Sequence, residues 1–190
     1  MEVDLLLNIV KSLLMLTLLS NSSYAHLVSY DDDVLEIFSK ILPRFVLMSD
    51  KKNHLQDELK ICIVRDEIDA PEAAILIDKI NSHYPNGLKN YKLRLLESNF
   101  LNLSRCEGSQ MIFLFNSSKK QIDSSVDYAN KNHLLSVSYN NQLLENGVEI
   151  SLFLGRKIVP YINIEEIEKN GIALDNLLLR ISKIYKKTDE

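Results

Sequence analysis

The stretch Gly147–Tyr185, GVEISLFLGRKIVPYINIEEIEKNGIALDNLLLRISKIY, decides the fold. Two apolar runs, Val148–Leu154 and Ile158–Ile164, flank Gly155-Arg156-Lys157. Apolar runs joined by a short glycine-containing link predict a β-hairpin. Asn163 reads as the N-cap of a short helix, and Glu166, three residues on, completes a capping box. Gly171 suits a left-handed C-cap, where a Cβ would be penalised. Asp175 opens a second helix whose Leu177, Leu178, Ile181, Ile184 and Tyr185 share one face. A hairpin feeding two helices has apolar surface that upstream elements must cover.

Upstream, strands and helices alternate. Asp31 or Asp32 caps a helix with the apolar stripe Val34, Leu35, Phe38, Ile41, Leu42 and Phe45. Pro43 lies within it and, having no N–H, is expected to kink or end the regular part. His26–Tyr30 reads as a frayed lead-in and Ser49–Glu58 as a polar loop. Lys60–Arg65 is a β-branched run and reads as a buried strand. Asp69-Ala70-Pro71-Glu72 starts a helix reaching about Ser82, with Ala74, Ile77 and Ile80 or Asn81 inward. Pro85-Asn86-Gly87 breaks it. Tyr91–Leu96 is a second strand, and Asn99–Leu103 a short helical turn. Gln110–Phe115 is the most hydrophobic strand and is placed centrally. Ser118 and Gln121 form a second capping box, for a helix with Ile122, Val126 and Ala129 inward. Leu134–Tyr139 is a fourth strand and Asn140–Asn146 a loop. This order predicts a three-layer α/β domain: a mostly parallel sheet, helices on both faces, and a C-terminal antiparallel hairpin.

The chain has 190 residues, enough for one domain with a sizeable core once a short N-terminal piece is removed. Its net charge is −4, and no long block of one sign occurs. That argues against a nucleic-acid surface, which needs clustered cations, and against wholesale disorder. Residues 1–25 read as a secretory signal peptide. Lys11 precedes the apolar run Leu13–Leu19, and Ser23-Tyr24-Ala25 supplies residues that a signal peptidase reads. Glu2 and Asp4 depart from the usual cationic start. The competing reading is a membrane anchor over Leu5–Leu19, which is short of the roughly 20 residues a span needs and is interrupted by Asn8 and Lys11. Cleavage is the favoured reading, and it leaves a single domain over residues 26–190.

Cys62 and Cys106 are the two cysteines. Export makes a disulfide the default; the alternative is two buried thiols acting as small hydrophobes. Cys62 lies in the first strand and Cys106 just before the third. In a sheet ordered 2-1-3 those strands are neighbours, so a bridge is geometrically allowed. Two cysteines without clustered histidines do not make a zinc site. His26, His54, His83 and His133 show no ligand spacing, and no metal is expected.

The search for catalysis yields little. A phosphorelay receiver needs an acidic pair after its first strand and an aspartate ending its third. Asp66-Glu67 supplies the pair, but the third strand ends in Phe115-Asn116, so Asp66-Glu67 reads as a solvated pair. Five isolated glycines give no dinucleotide or phosphate loop, so no cofactor is expected. No nucleophile elbow surrounds a serine, and Gly108-Ser109 reads as a turn. Cys106 as a catalytic thiol would need a histidine partner. The chain is read as a non-enzyme.

Four segments carry a resemblance. KICIVRDE, CEGSQMIFLF, LLSVSY and the closing GVEISLFLGRKIVPYINIEEIEKNGIALDNLLLRI resemble, in order and spacing, the YfiR-like (HmsC-like) family of periplasmic proteins. The match spans Asp32–Tyr185. The resemblance implies an exported α/β domain, often a homodimer, with a regulatory partner. That partner is the periplasmic sensory domain of an inner-membrane diguanylate cyclase, held inactive so that cyclic-di-GMP and biofilm or exopolysaccharide output stay low. It also implies a Cys62–Cys106 disulfide that supports the fold and links activity to redox state. The chain departs from the pattern at Pro160, usually charged or polar, and at Ile162 within Tyr161-Ile162-Asn163. It lacks the aspartate that often ends the fourth strand and the Trp-Pro that follows Phe45-Val46. It has no cysteines for a second disulfide. Two functional expectations result: a periplasmic repressor of a diguanylate cyclase, and, as the alternative, a periplasmic small-molecule-binding sensory module using the carboxyl ends of the parallel strands.

Overall fold

A computed structural model describes residues 30–187. The expected signal segment and His26 lie outside the described residues. Seven strands form one sheet in the order β2-β1-β3-β4-β5-β6-β7. They are β1 (Glu58–Arg65), β2 (Lys92–Asn99), β3 (Met111–Leu114), β4 (Leu135–Ser138), β5 (Ile150–Leu154), β6 (Ile158–Asn163) and β7 (Lys183–Tyr185). The first five run parallel; β5 and β6 form the expected antiparallel hairpin, with Leu154 opposite Ile158.

Two faces follow from the period-2 alternation of strand side chains. Leu59, Ile61 and Ile63 of β1, Met111 and Phe113 of β3, and Leu135 and Val137 of β4 enter one cluster. Helices α1 (Asp32–Leu47) and α2 (Ala70–His83) cover it. Cys62, Val64, Ile112 and Leu114 point the other way, against Ile122, Val126 and Ala129 of α3 (Lys119–Lys131). The core is thus split by the sheet, as in any three-layer domain. Phe38, Phe113 and Phe115 stack edge-to-face in the first half, with centroids 5.1 and 5.4 Å apart.

Several local expectations need correcting. Pro43 does not end α1, which runs on to Leu47 with Pro43 buried. The N–H that Pro43 lacks would have donated to the Ser39 carbonyl; the Ser39 hydroxyl donates separately to the Glu36 carbonyl. Of the two candidate N-caps it is Asp31 that caps the helix, as the sequence allowed, accepting from the Asp33 and Val34 N–H groups. Tyr30 is not frayed: its ring packs on Phe115 and Tyr139. On α2 the buried residues are Ala73, Leu76 and Ile80, while Ala74 is exposed. Ile80 is inward as predicted, while Ala73 and Leu76 take the places expected of Ala74 and Ile77. The polar segment after α1 holds a 3-10 turn over Asp50–His54, a second such turn spans Asn141–Asn146, and the turn after β2 falls at Leu103–Cys106.

The C-terminal block also differs. Asn163 caps α4 (Ile164–Lys169) by accepting from the Glu166 N–H, but Glu166 turns outward to Lys169. The box is half-formed because the Asn163 N–H is already donated to the Glu149 carbonyl at 2.9 Å. Gly171 follows at φ +64°, as expected. Helix α5 (Asn176–Ile181) stops after six residues. Ile184 and Tyr185 do not continue its face; they form β7 beside β6, Ile184 opposite Ile162. An amphipathic helical period and a short edge strand look alike over three residues, and pairing with β6 decides it.

Candidate functional site

Parallel α/β sheets offer binding surface at the carboxyl ends of their strands, where the order reverses. Here that point lies between β1 and β3. The chain following β1 brings Asp66 and Asp69 there, the chain following β3 brings Asn116 and Ser117, and Tyr139 follows β4 directly. Asp66 is not merely solvated: it accepts from the Ser117 hydroxyl at 2.6 Å, tying the two strand ends together. Glu67 beside it is 99% exposed.

Tyr30 fills the crevice. Its ring meets Phe115 at 5.0 Å and Tyr139 at 4.7 Å, both edge-to-face. Its hydroxyl oxygen accepts the Asn116 N–H at 3.2 Å, and the hydroxyl lies beside the Asp69 carboxylate. The Tyr139 hydroxyl in turn accepts the Asp31 N–H at 2.8 Å. Burial pushes the Tyr30 and Tyr139 phenols above the ordinary tyrosine range and raises the Asp69 carboxyl. The place that could take a foreign ligand is therefore occupied by the chain's own residues 30–31. Tyr30→Ala removes both ring contacts and leaves the Asn116 N–H without its partner. Its expected cost is about 2–3 kcal/mol, read by urea unfolding. A small hollow of about 260 Å³ remains alongside, lined by Asn116, Tyr139, Asn140, Asn141, Gln142 and Leu154.

Cys62 and Cys106 are joined by a disulfide, with Cα atoms 5.3 Å apart. Both are fully buried. The bridge fastens the 3-10 turn at Leu103–Cys106 to the middle of β1, and so fixes the whole segment that crosses from β2 to β3. Neither sulfur is available as a nucleophile while it is bonded. Among the described residues no group of three His, Cys, Asp or Glu side chains is placed to hold a metal ion, and no helix is long and apolar enough to cross a membrane.

A buried carboxylate is the group that sequence reasoning missed altogether. Glu149 is fully buried at the start of β5. One oxygen accepts from the Ser136 N–H at 2.7 Å and the Ser136 hydroxyl at 3.0 Å; the other accepts from the Asn170 amide at 2.8 Å. The same Asn170 amide donates to Asn130 on α3. Burial pushes the Glu149 carboxyl up to about 7, against the opposing pull of these donors and of Lys51. The alternation Leu135-Ser136-Val137-Ser138 was the one available signal: small polar residues on an otherwise apolar face imply a buried polar partner. Glu149 joins β4, β5 and the end of α4, which makes it structural.

Comparison with known proteins follows the geometry. A search of curated proteins found no match. Among solved structures, a conserved domain protein from Vibrio cholerae O1 biovar El Tor is similar, with a TM-score of 0.58 and 12% sequence identity. The similarity covers 80% of this chain and 60% of that one, and at such identity it speaks for the fold alone. The family model described as YfiR/HmsC-like matches residues 38–183. That match takes in β1 to β6 with α2 to α5, and it places the chain in the YfiR/HmsC-like family, whose members are periplasmic, non-catalytic regulators in cyclic-di-GMP signalling.

Proposed function

We propose that this protein, exported by cleavage of residues 1–25 and folded as one domain over residues 26–190, represses an inner-membrane diguanylate cyclase by contact with its periplasmic domain. The observation that favours contact over ligand sensing is Tyr30. The crevice that this sheet topology offers to small molecules is filled from within, so regulation by surface contact is the simpler use of the fold. The protein would bind the inactive state of the cyclase domain better than the active one and shift that equilibrium, lowering cyclic-di-GMP and with it biofilm and exopolysaccharide output. Its own transition would be governed by the Cys62–Cys106 bridge, since reduction frees the segment between β2 and β3. A homodimer is compatible with this scheme, the open edge of β7 being one surface for it.

A second reading, a periplasmic small-molecule sensory module, is favoured by the hollow beside Tyr139. Purification of the tagged protein from solubilised membranes separates the two. Recovery of a protein carrying both a periplasmic domain and a diguanylate cyclase domain is expected. A thermal shift with a periplasmic metabolite, without any cyclase recovered, would favour the second reading.

A further inference from the structure

We propose that Leu101 and Ile68, at the carboxyl ends of β2 and β1, form the knob by which this protein docks, and that the partner offers an apolar pocket rimmed by lysine or arginine. The proposal rests on the contact reading above and names the surface that such contact uses.

Leu101 is 88% exposed and Ile68 65%, the two highest values among the exposed large hydrophobic residues. They leave neighbouring strands, just beyond the register pair Arg65 and Asn99. Single exposed hydrophobic residues are ordinary, so exposure alone decides nothing. Two further features set these apart.

The first is rigidity. The Leu101 N–H donates to Asn99 Oδ1 at 3.0 Å, and the Asn102 N–H to the Asn99 carbonyl at 3.1 Å. The Ser98 hydroxyl donates to the Asn102 carbonyl at 2.5 Å. Phe100 is 4% exposed and anchors the turn into the core beside Cys62 and Cys106. The disulfide closes the segment a few residues later. A leucine carried on a fixed backbone loses little main-chain freedom on docking, which lowers the cost of using it as a contact.

The second is charge. Asp66, Glu67 and Glu97 stand around these strand ends. Two cations, Arg65 and the exposed Arg105, accompany them, and Arg65 is already shared between Glu97 at 3.3 Å and Glu67 at 3.9 Å. The surplus is negative, and its complement is a cationic rim. The other exposed apolar side chains differ in this respect. Leu177, Ile181 and Ile184 lie among Arg180, Lys183 and Lys186. A partner complementary to one surface is repelled by the other.

The test is complementation of a strain lacking the gene, reading intracellular cyclic-di-GMP. Wild-type protein, Leu101→Asp, Glu67→Lys and Leu177→Asp are each expressed, with their amounts and melting temperatures matched. All three sites are exposed, so the folds should persist. Leu101→Asp and Glu67→Lys are expected to lose repression, and Leu177→Asp to keep it. Full repression by Leu101→Asp and Glu67→Lys, or loss confined to Leu177→Asp, would overturn the proposal while leaving the contact reading intact. An unchanged cyclic-di-GMP level on deletion itself, seen before any variant is introduced, would defeat the contact reading and the proposal with it.

Discussion

Cys62→Ser, purified under oxidising conditions, is expected to melt about 10 °C below the wild type. The bridge joins residues 44 apart in sequence. In the chain-entropy view, a link of that span removes about 4 kcal/mol of freedom from the unfolded ensemble. For a domain of this size each kcal/mol moves the melting temperature by about 2–4 °C. Both sulfurs are fully buried, so each serine also sets a hydroxyl in an apolar cluster of Val64, Phe100, Ile112 and Leu114. Cys106→Ser should fall to a similar degree. Wild-type protein treated with a thiol reductant should approach the variants, and the variants themselves should not respond. Calorimetry with and without reductant checks all three statements. Variants that melt with the oxidised wild type would show that the bridge contributes no stability.

Glu149 should give the protein a measurable pH dependence of its own. Its carboxyl is raised from an ordinary 4.5 to about 7 because burial penalises the charge. A raised carboxyl means that the folded state holds a proton which the unfolded chain has released, over the window from about 4.5 to 7. The contribution is therefore most favourable below the unfolded value. It is lost as pH rises, and is fully lost above about 7. A difference of that size corresponds to about 3 kcal/mol. Glu149→Gln keeps the shape and cannot ionise. The stability difference between variant and wild type should accordingly shift by about 3 kcal/mol between pH 4.5 and pH 8, in favour of the wild type at the acid end. Urea denaturation across this range measures it. A difference independent of pH would mean that Glu149 titrates as an ordinary surface glutamate. Only the difference isolates this group, because exposed carboxylates act in the opposite sense. Glu36, for example, is held down to about 2 by the ammonium of Lys40, with Lys79 and His83 adding to the pull.

Periodic apolar patterning revealed the architecture before any coordinates. The β-branched run at Lys60–Arg65, the apolar run at Gln110–Phe115 and the glycine link at 155 placed the strands within a residue or two. Turn and cap chemistry was equally legible at Asp31, Ser118, Asn163 and Gly171. Three things were not. Pro43 inside α1 defeats a local rule, because tertiary packing of Phe38, Leu42 and Phe45 outweighs one missing hydrogen bond. Ile184 and Tyr185 repeat at a spacing that fits helix or strand, and only the neighbouring β6 resolves them. Tyr30, Asp69, Asn116 and Glu149 carry no signal in their own neighbourhoods, since the partners that define them lie 13 to 86 residues away. A lone tyrosine before a helix cap looks like a loop residue until the crevice that receives it is seen. The family resemblance, by contrast, rested on ordered blocks of sequence, and the match over residues 38–183 encloses those blocks.

The decisive observation concerns the cell and not the isolated protein. Intracellular cyclic-di-GMP should be measured in matched strains with and without this gene, the diguanylate cyclase being present in both. Repression through periplasmic contact predicts a rise when the gene is deleted, reversed by the exported protein and not by a version retained in the cytoplasm. A level that does not move on deletion, or that the cytoplasmic version corrects equally well, would contradict it.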